Sequence, residues 1–168
     1  KVIVEQGVAT LIEVALPVRG KDEPVPALLE QPLLSAEDFF DFDTKYMSGG
    51  KKGGAKSGGK QGAQGYSKIP AAVSKKLYDE AVSLGLEVYK VVGCKGISRI
   101  DMLIDAKASK VFFNEINPLP GDLYRHNWQQ AGISSTELVT KLVALAEERW
   151  QSQQKIATAF DTNFLKQF

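Results

Sequence analysis

Between Gly96 and Asn117 the chain alternates apolar and polar residues in two runs separated by Ala106-Lys107-Ala108-Ser109, and no other segment constrains the fold as tightly. Side chains alternate faces along a strand, so the two runs read as an antiparallel hairpin. Pairing Asp105 with Val111 around a five-residue loop sets Leu103 against Phe113, Asp101 against Glu115 and Arg99 against Asn117. All of these lie on one face, and a register slip that preserves facing keeps them together.

Two carboxylates opposite each other across a ladder repel, so something must compensate. A divalent cation does so directly. Two carboxylates and an amide form an all-oxygen set suited to magnesium or manganese, whereas zinc would call for nitrogen or sulfur ligands. Asp101, Glu115 and Asn117 are therefore the candidate metal ligands, and Arg99 adds a fixed positive charge suited to an anionic substrate or a developing oxyanion. A solvated face carrying surface ion pairs is the competing reading. Against it stands Asn114-Glu115-Ile116-Asn117-Pro118-Leu119-Pro120-Gly121, where polar groups converge on a strand end followed by a rigid turn.

The rest of the chain supplies a sheet and helices around this hairpin. Val2 to Val4 and Thr10 to Pro17 read as strands, Arg19 to Pro24 as a turn, and Val25 to Leu29 as a return run in an antiparallel meander. Pro70 opens a helical pattern through Val73, Leu77, Ala81, Leu84, Val88 and Val91, stopping at Gly93 as a left-handed cap. Ser134 and Glu137 have capping-box spacing ahead of a second helix with Leu138, Leu142, Leu145 and Ala146 as its stripe. From 48 to 66 the chain is almost entirely glycine, lysine, serine, alanine and glutamine, a composition that reads as a mobile loop. The expected division is 1–150 as one domain and 151–168 as a helical tail.

Composition removes several classes of function. With 168 residues, 43% of them hydrophobic, the chain can bury a core. The single cysteine, Cys94, excludes a disulfide framework and a cysteine-based zinc site. A net charge of +1, and lysines without interleaved aromatic residues, argue against nucleic acid as a partner. No apolar run approaches the roughly 18–20 residues of a membrane span, so a cytoplasmic location without membrane contact is expected. Lys1-Val2-Ile3-Val4-Glu5 opens as a strand already in progress, as in a piece of a longer polypeptide.

Gly96-Ile97-Ser98-Arg99-Ile100-Asp101, Phe113 to Gly121, and Ala131-Gly132-Ile133-Ser134 together resemble the closing segment of the D-alanine–D-alanine ligases of the ATP-grasp superfamily. Asp41-Phe42-Asp43-Thr44-Lys45-Tyr46-Met47-Ser48 is similar to that family's aromatic-acidic segment leading into its mobile loop. The resemblance runs from about Glu5 to Glu148. It implies an α+β fold, an ATP-grasp-type antiparallel sheet flanked by helices, without the N-terminal domain and the first part of the ATP-grasp.

It also implies chemistry: ATP phosphorylates a carboxylate, and an amine attacks the acylphosphate to give D-alanyl-D-alanine or a related dipeptide for peptidoglycan precursors. By resemblance Asp101, Glu115 and Asn117 bind two magnesium ions, with Glu115 bridging them. Arg99 and the backbone amide of Gly121 then stabilise the acylphosphate and the tetrahedral intermediate, Lys45 contacts ATP phosphates, Tyr46 orders the loop beside it, and Glu5 with Gln6 to Val8 holds adenine. The family's members are commonly homodimers. The isolated chain, lacking the opposing lobe, is expected to be inactive.

The chain departs from the family's pattern at three places. Ala9-Thr10-Leu11-Ile12 stands where the family carries a Gly-x-Glu that binds ribose, with only Glu13 near. Asp122-Leu123-Tyr124-Arg125-His126-Asn127-Trp128 replaces a methionine-, serine- and histidine-rich segment that recognises the acceptor carboxylate, leaving Arg125 or His126 for that task. The loop carrying Lys51, Lys52, Lys56 and Lys60 is longer than the family's lid. Two alternatives therefore stay open: an ATP-grasp ligase using another acceptor amine, and a non-catalytic nucleotide-binding domain.

Overall fold

The computed structural model describes Val2, Val4 and residues 7–33 and 67–155. Four strands form an antiparallel sheet in the order β2-β1-β5-β6: β1 (Leu11–Gly20), β2 (Val25–Pro26), β5 (Gly96–Asp105) and β6 (Lys110–Asn117). A second ladder pairs β3 (Gln31–Pro32) with β4 (Ser67–Lys68). The helices are α1 (Lys75–Val91), a short α2 (Arg125–Gln130) and α3 (Ser135–Gln154). Among the described residues no helix is long and apolar enough to cross a membrane.

The frame is the ten-residue pairing of β1 with β5, from Leu11↔Asp105 to Gly20↔Gly96. Val14, Leu16, Val18, Ile100, Met102 and Ile104 from these strands are buried together under α1. That helix begins later than the apolar pattern implied. Ser74 is its N-cap, its hydroxyl accepting from the Leu77 amide, because Pro70 and the residues after it spend their backbone groups on other partners, such as the Ala71 amide donating to the Leu29 carbonyl.

The buried line of α1 is Leu77, Ala81, Gly85 and Tyr89, and Val91 at its end is exposed. Gly93 closes the helix at φ 68°, with its amide on Lys90 and the Cys94 amide on Tyr89, a Schellman arrangement. Tyr89 fastens the helix to the sheet. Its hydroxyl lies 2.8 Å from the Gly20 carbonyl and 3.2 Å from that of Gly96, and burial pushes its pKa up to about 12.

A smaller core of Ala27, Ile97, Trp128 and Leu138 joins α2 and α3 to the opposite side. Ser134 caps α3 by accepting from the Glu137 amide. Leu138 is buried, Leu142 and Leu145 are half-buried, and Ala146 is exposed. The helix runs on to Gln154, four residues past Trp150.

Candidate functional site

The hairpin matches expectation at one end and departs from it at the other. Arg99 pairs with Asn117 and Asp101 with Glu115, but Leu103 pairs with Phe112, not Phe113, and Asp105 with Lys110, not Val111. The loop therefore holds four residues, 106–109, with Ser109 at φ 51°. Asp105 shapes it by accepting from the Lys107 and Ala108 amides and from the Thr10 hydroxyl, and these bonds, the Ala108 amide foremost, hold its carboxyl below the usual range. The two registers are reconciled by a bulge: Asn114 is left without a partner between Phe113↔Met102 and Glu115↔Asp101.

Arg99 and Asp101 project from β5 side by side. Arg99 Nε lies 2.7 Å from Asp101 Oδ1 and Nη2 2.6 Å from Oδ2, a two-pronged pair, and each side chain is about a quarter exposed or less. The bond to Asp101 raises the guanidinium pKa despite burial. Its other face lies 5.5 Å from the centre of the Tyr124 ring. Glu115 is exposed, and Asn117 is half-buried with Oδ1 accepting from the Leu119 amide at 3.0 Å.

Magnesium fits this donor set. Each Asp101 oxygen accepts one bond from Arg99 and keeps lone pairs free, Asn117 Oδ1 accepts one amide, and Glu115 opens to solvent. Among the described residues there is no cluster of three or more histidine, cysteine or carboxylate side chains that could hold a metal. A site here rests on two carboxylates and an amide.

Beyond Asn117, Pro120 is buried and Gly121 opens a turn in which Asp122, Leu123 and Tyr124 all take left-handed φ values of 49°, 50° and 54°. Three consecutive non-glycine residues in this region are sterically unfavourable, so surrounding contacts must hold them. Tyr124 is anchored by contacts with both Arg99 and His126, with ring centres 4.7 Å apart in the latter pair. Burial, with the nearby Glu30 charge, raises the Tyr124 pKa strongly. Arg125 turns back to Asp122 at 3.3 Å. His126 Nε2 lies 2.9 Å from Glu30 Oε2, so the imidazole faces a carboxylate within its own chain.

Glu30, Asn127 and Tyr124 are the residues that the sequence pattern did not single out. Asn127 is fully buried and clasps the backbone of Leu28 in both directions. Among the other expected residues Val8 is half-buried near the start of the described chain, while Lys45, Tyr46, Glu5 and Gln6 and the 48–66 loop lie outside the described residues. An open cleft of about 340 Å³ lined by Lys21, Asp22, Lys141 and Glu148 contains neither Asp101 nor Glu115.

A four-stranded antiparallel sheet flanked by helices, with acidic and basic side chains gathered at the end of its terminal hairpin, defines an ATP-grasp-type α+β fold. Residues 1–144 match the family described as D-ala D-ala ligase C-terminus, and the chain belongs to it. It is 33% identical to D-alanine–D-alanine ligase A of Escherichia coli K12 over 94% of its own length and 40% of that protein's. Against the D-alanine–D-alanine ligase of Clostridium novyi the identity is 34%, over 89% of the chain and 40% of the relative. The solved VanG D-Ala:D-Ser ligase of Enterococcus faecalis superposes with a TM-score of 0.58 at 28% identity, covering 80% of this chain and 36% of that one. The chain thus spans about two fifths of the length of the curated relatives it matches.

Proposed function

We propose that the polypeptide carrying this chain is an ATP-dependent carboxylate–amine ligase that forms D-alanyl-D-alanine or a related dipeptide through an acylphosphate, for peptidoglycan precursors. The observation that carries this reading is the facing of Asp101 and Glu115 beside Arg99 and Asn117 in a member of the D-alanine–D-alanine ligase family. Asp101, Glu115 and Asn117 would hold two magnesium ions. When bound, these ions would screen phosphate charge during transfer.

The chain's own residues supply the rest. Arg99, held in place by Asp101 and Tyr124, presents a cation that needs no reorganisation when negative charge develops on the acyl group. The exposed Gly121 would offer its backbone amide to the same oxygen, and a Cβ at this position would meet nothing within 4 Å, leaving room for a substrate. Lys45 is assigned to the ATP phosphates, Tyr46 to ordering the loop beside it, and Glu5, Gln6 and Val8 to adenine, on the family likeness.

A second reading, the same chemistry with a different acceptor amine, is favoured by the left-handed turn from Asp122 to Tyr124, in the segment that departs most from the family's pattern. Incubating the polypeptide with ATP, magnesium and a panel of amino acids decides between the two. Phosphate release is expected with D-alanine. Strong release with another amino acid and none with D-alanine would select the second reading, and magnesium-dependent ATP binding without turnover would select a non-catalytic domain.

A further inference from the structure

Glu30 is a buried carboxylate that the ligase chemistry above leaves without a task. It is 5% exposed and lies 2.9 Å from His126 Nε2 and 3.3 Å from Asn127 Nδ2. Burial opposes its ionisation, but its polar neighbours, His126 foremost, then Ser67 and Asn127, prevail and its pKa lies below the ordinary value. An ionised carboxylate can only accept, so Nε2 carries the hydrogen and Nδ1 of the neutral ring has the free lone pair. A carboxylate in this position fixes the imidazole's orientation and stabilises the imidazolium once Nδ1 takes a proton.

This pair stands next to the expected reaction face. The His126 ring packs against Tyr124, whose ring also carries the Arg99 guanidinium, and Arg99 grips Asp101. Among the described residues, the charged and titratable groups whose contacts lead to the imidazole are Glu30 from the segment before β3, Tyr124 from the left-handed turn, and beyond that ring Arg99 from β5. The His126 side chain is 17% exposed, which leaves it reachable. It is also the sole histidine of the chain.

An amino-acid acceptor arrives as an ammonium ion and must lose a proton before it can attack. Arg99 stays protonated at any working pH, and Asp101 and Glu115 are the proposed metal ligands. We infer that His126, oriented by Glu30, is the proton acceptor for the amine, an inference that rests on the ligase reading above. The ammonium gives one proton to His126 Nδ1, and the freed lone pair forms the C–N bond at the acyl carbon. The C–O bond to phosphate then breaks, the second nitrogen proton leaves with the phosphate as hydrogen phosphate, and His126 releases its proton to water.

The test compares two acceptors in the polypeptide that carries this chain. Hydroxylamine is largely unprotonated at neutral pH and traps the acylphosphate as a hydroxamate without a base, whereas D-alanine needs one. In His126→Gln the ratio of dipeptide to hydroxamate should fall about 100-fold at neutral pH, and the deficit should shrink as pH rises toward the amine's own pKa. Glu30→Gln, a change in a positioning residue, should lower the ratio about tenfold. Because both products come from the same enzyme sample, the ratio does not depend on how much of a variant folds. An unchanged ratio in His126→Gln, or a deficit independent of pH, would overturn the role of His126. Absence of ATP-dependent hydroxamate from the unaltered protein would instead overturn the ligase reading itself.

Discussion

Asp101 stands opposite Glu115 because one residue, Asn114, is left out of the ladder. Counted from the loop, where Asp105 pairs with Lys110, an unbroken register would bring Asn114 to Asp101 and Glu115 to Ile100, which is fully buried. The bulge returns Ile116 to the core face beside Ile100 and sends Glu115 and Asn117 to the side of Asp101 and Arg99. One unpaired residue thus determines whether the two carboxylates share a face.

This register can be read by cross-linking. Paired residues in an antiparallel ladder have Cα atoms roughly 4.5–5.5 Å apart, within disulfide range. In a Cys94→Ala background, the Asp101→Cys, Glu115→Cys double variant should oxidise to an intramolecular disulfide, and the Ile100→Cys, Glu115→Cys double variant, the pair an unbroken register would make, should not. Non-reducing mass spectrometry distinguishes them, and the reverse result would refute the bulge.

The same pairing predicts different effects of one substitution with and without metal. Glu115→Gln removes a like charge facing Asp101 but also a charge that favours the Arg99 cation paired with Asp101, so metal-free stability should change little. It also removes a proposed ligand, so any increase in melting temperature with added magnesium should largely disappear. Thermal melts with and without magnesium measure both. Equal stabilisation of the two proteins by magnesium would place the ion elsewhere.

Glu30 gives the fold an acid-sensitive contribution. Its folded pKa lies below the ordinary value of 4.5, so its contribution is fully present above that value and is lost as pH falls through the lower, folded one. Urea unfolding from pH 7 down to 3 should show stability dropping below about pH 4.5. In Glu30→Gln the starting stability should be lower and the drop shallower. Parallel pH curves for the two proteins would mean that Glu30 does not titrate with folding.

How far the sequence disclosed these features follows from the range over which each is determined. The shared face of Arg99, Asp101, Glu115 and Asn117 was legible because strand alternation is local, and Gly93 and Ser134 marked helix ends through local backbone chemistry. The bulge was not legible, since nothing about Asn114 distinguishes it until the loop length is known. Glu30 was hidden because its partners His126 and Asn127 lie 96 and 97 residues away. The turn from Asp122 to Tyr124 was hidden because no glycine signals its left-handed backbone, which packing against Arg99 and His126 sustains instead. The register error near the loop came from assuming five loop residues where Asp105 ties off four.

The contact between α1 and the sheet depends on a missing side chain. A Cβ at Gly85 would lie 2.7 Å from Leu16 Cδ2 and 3.6 Å from Met102 Cε, and Leu16 is fully buried, so its side chain would have to shift within the core. Gly85→Ala should gain about 1 kcal/mol from helix propensity and lose about 1–3 kcal/mol from overpacking, a net destabilisation on the order of 1 kcal/mol. Leu16→Ala alone should cost about 2–5 kcal/mol by opening a cavity. Once Leu16 is shortened the clash is gone and only the helical gain remains, so Gly85→Ala should become neutral or stabilising in that background. Denaturant unfolding of the four proteins in the cycle gives the coupling directly. If the two changes simply add, the close approach of α1 to β1 at this point is not what glycine is there to permit.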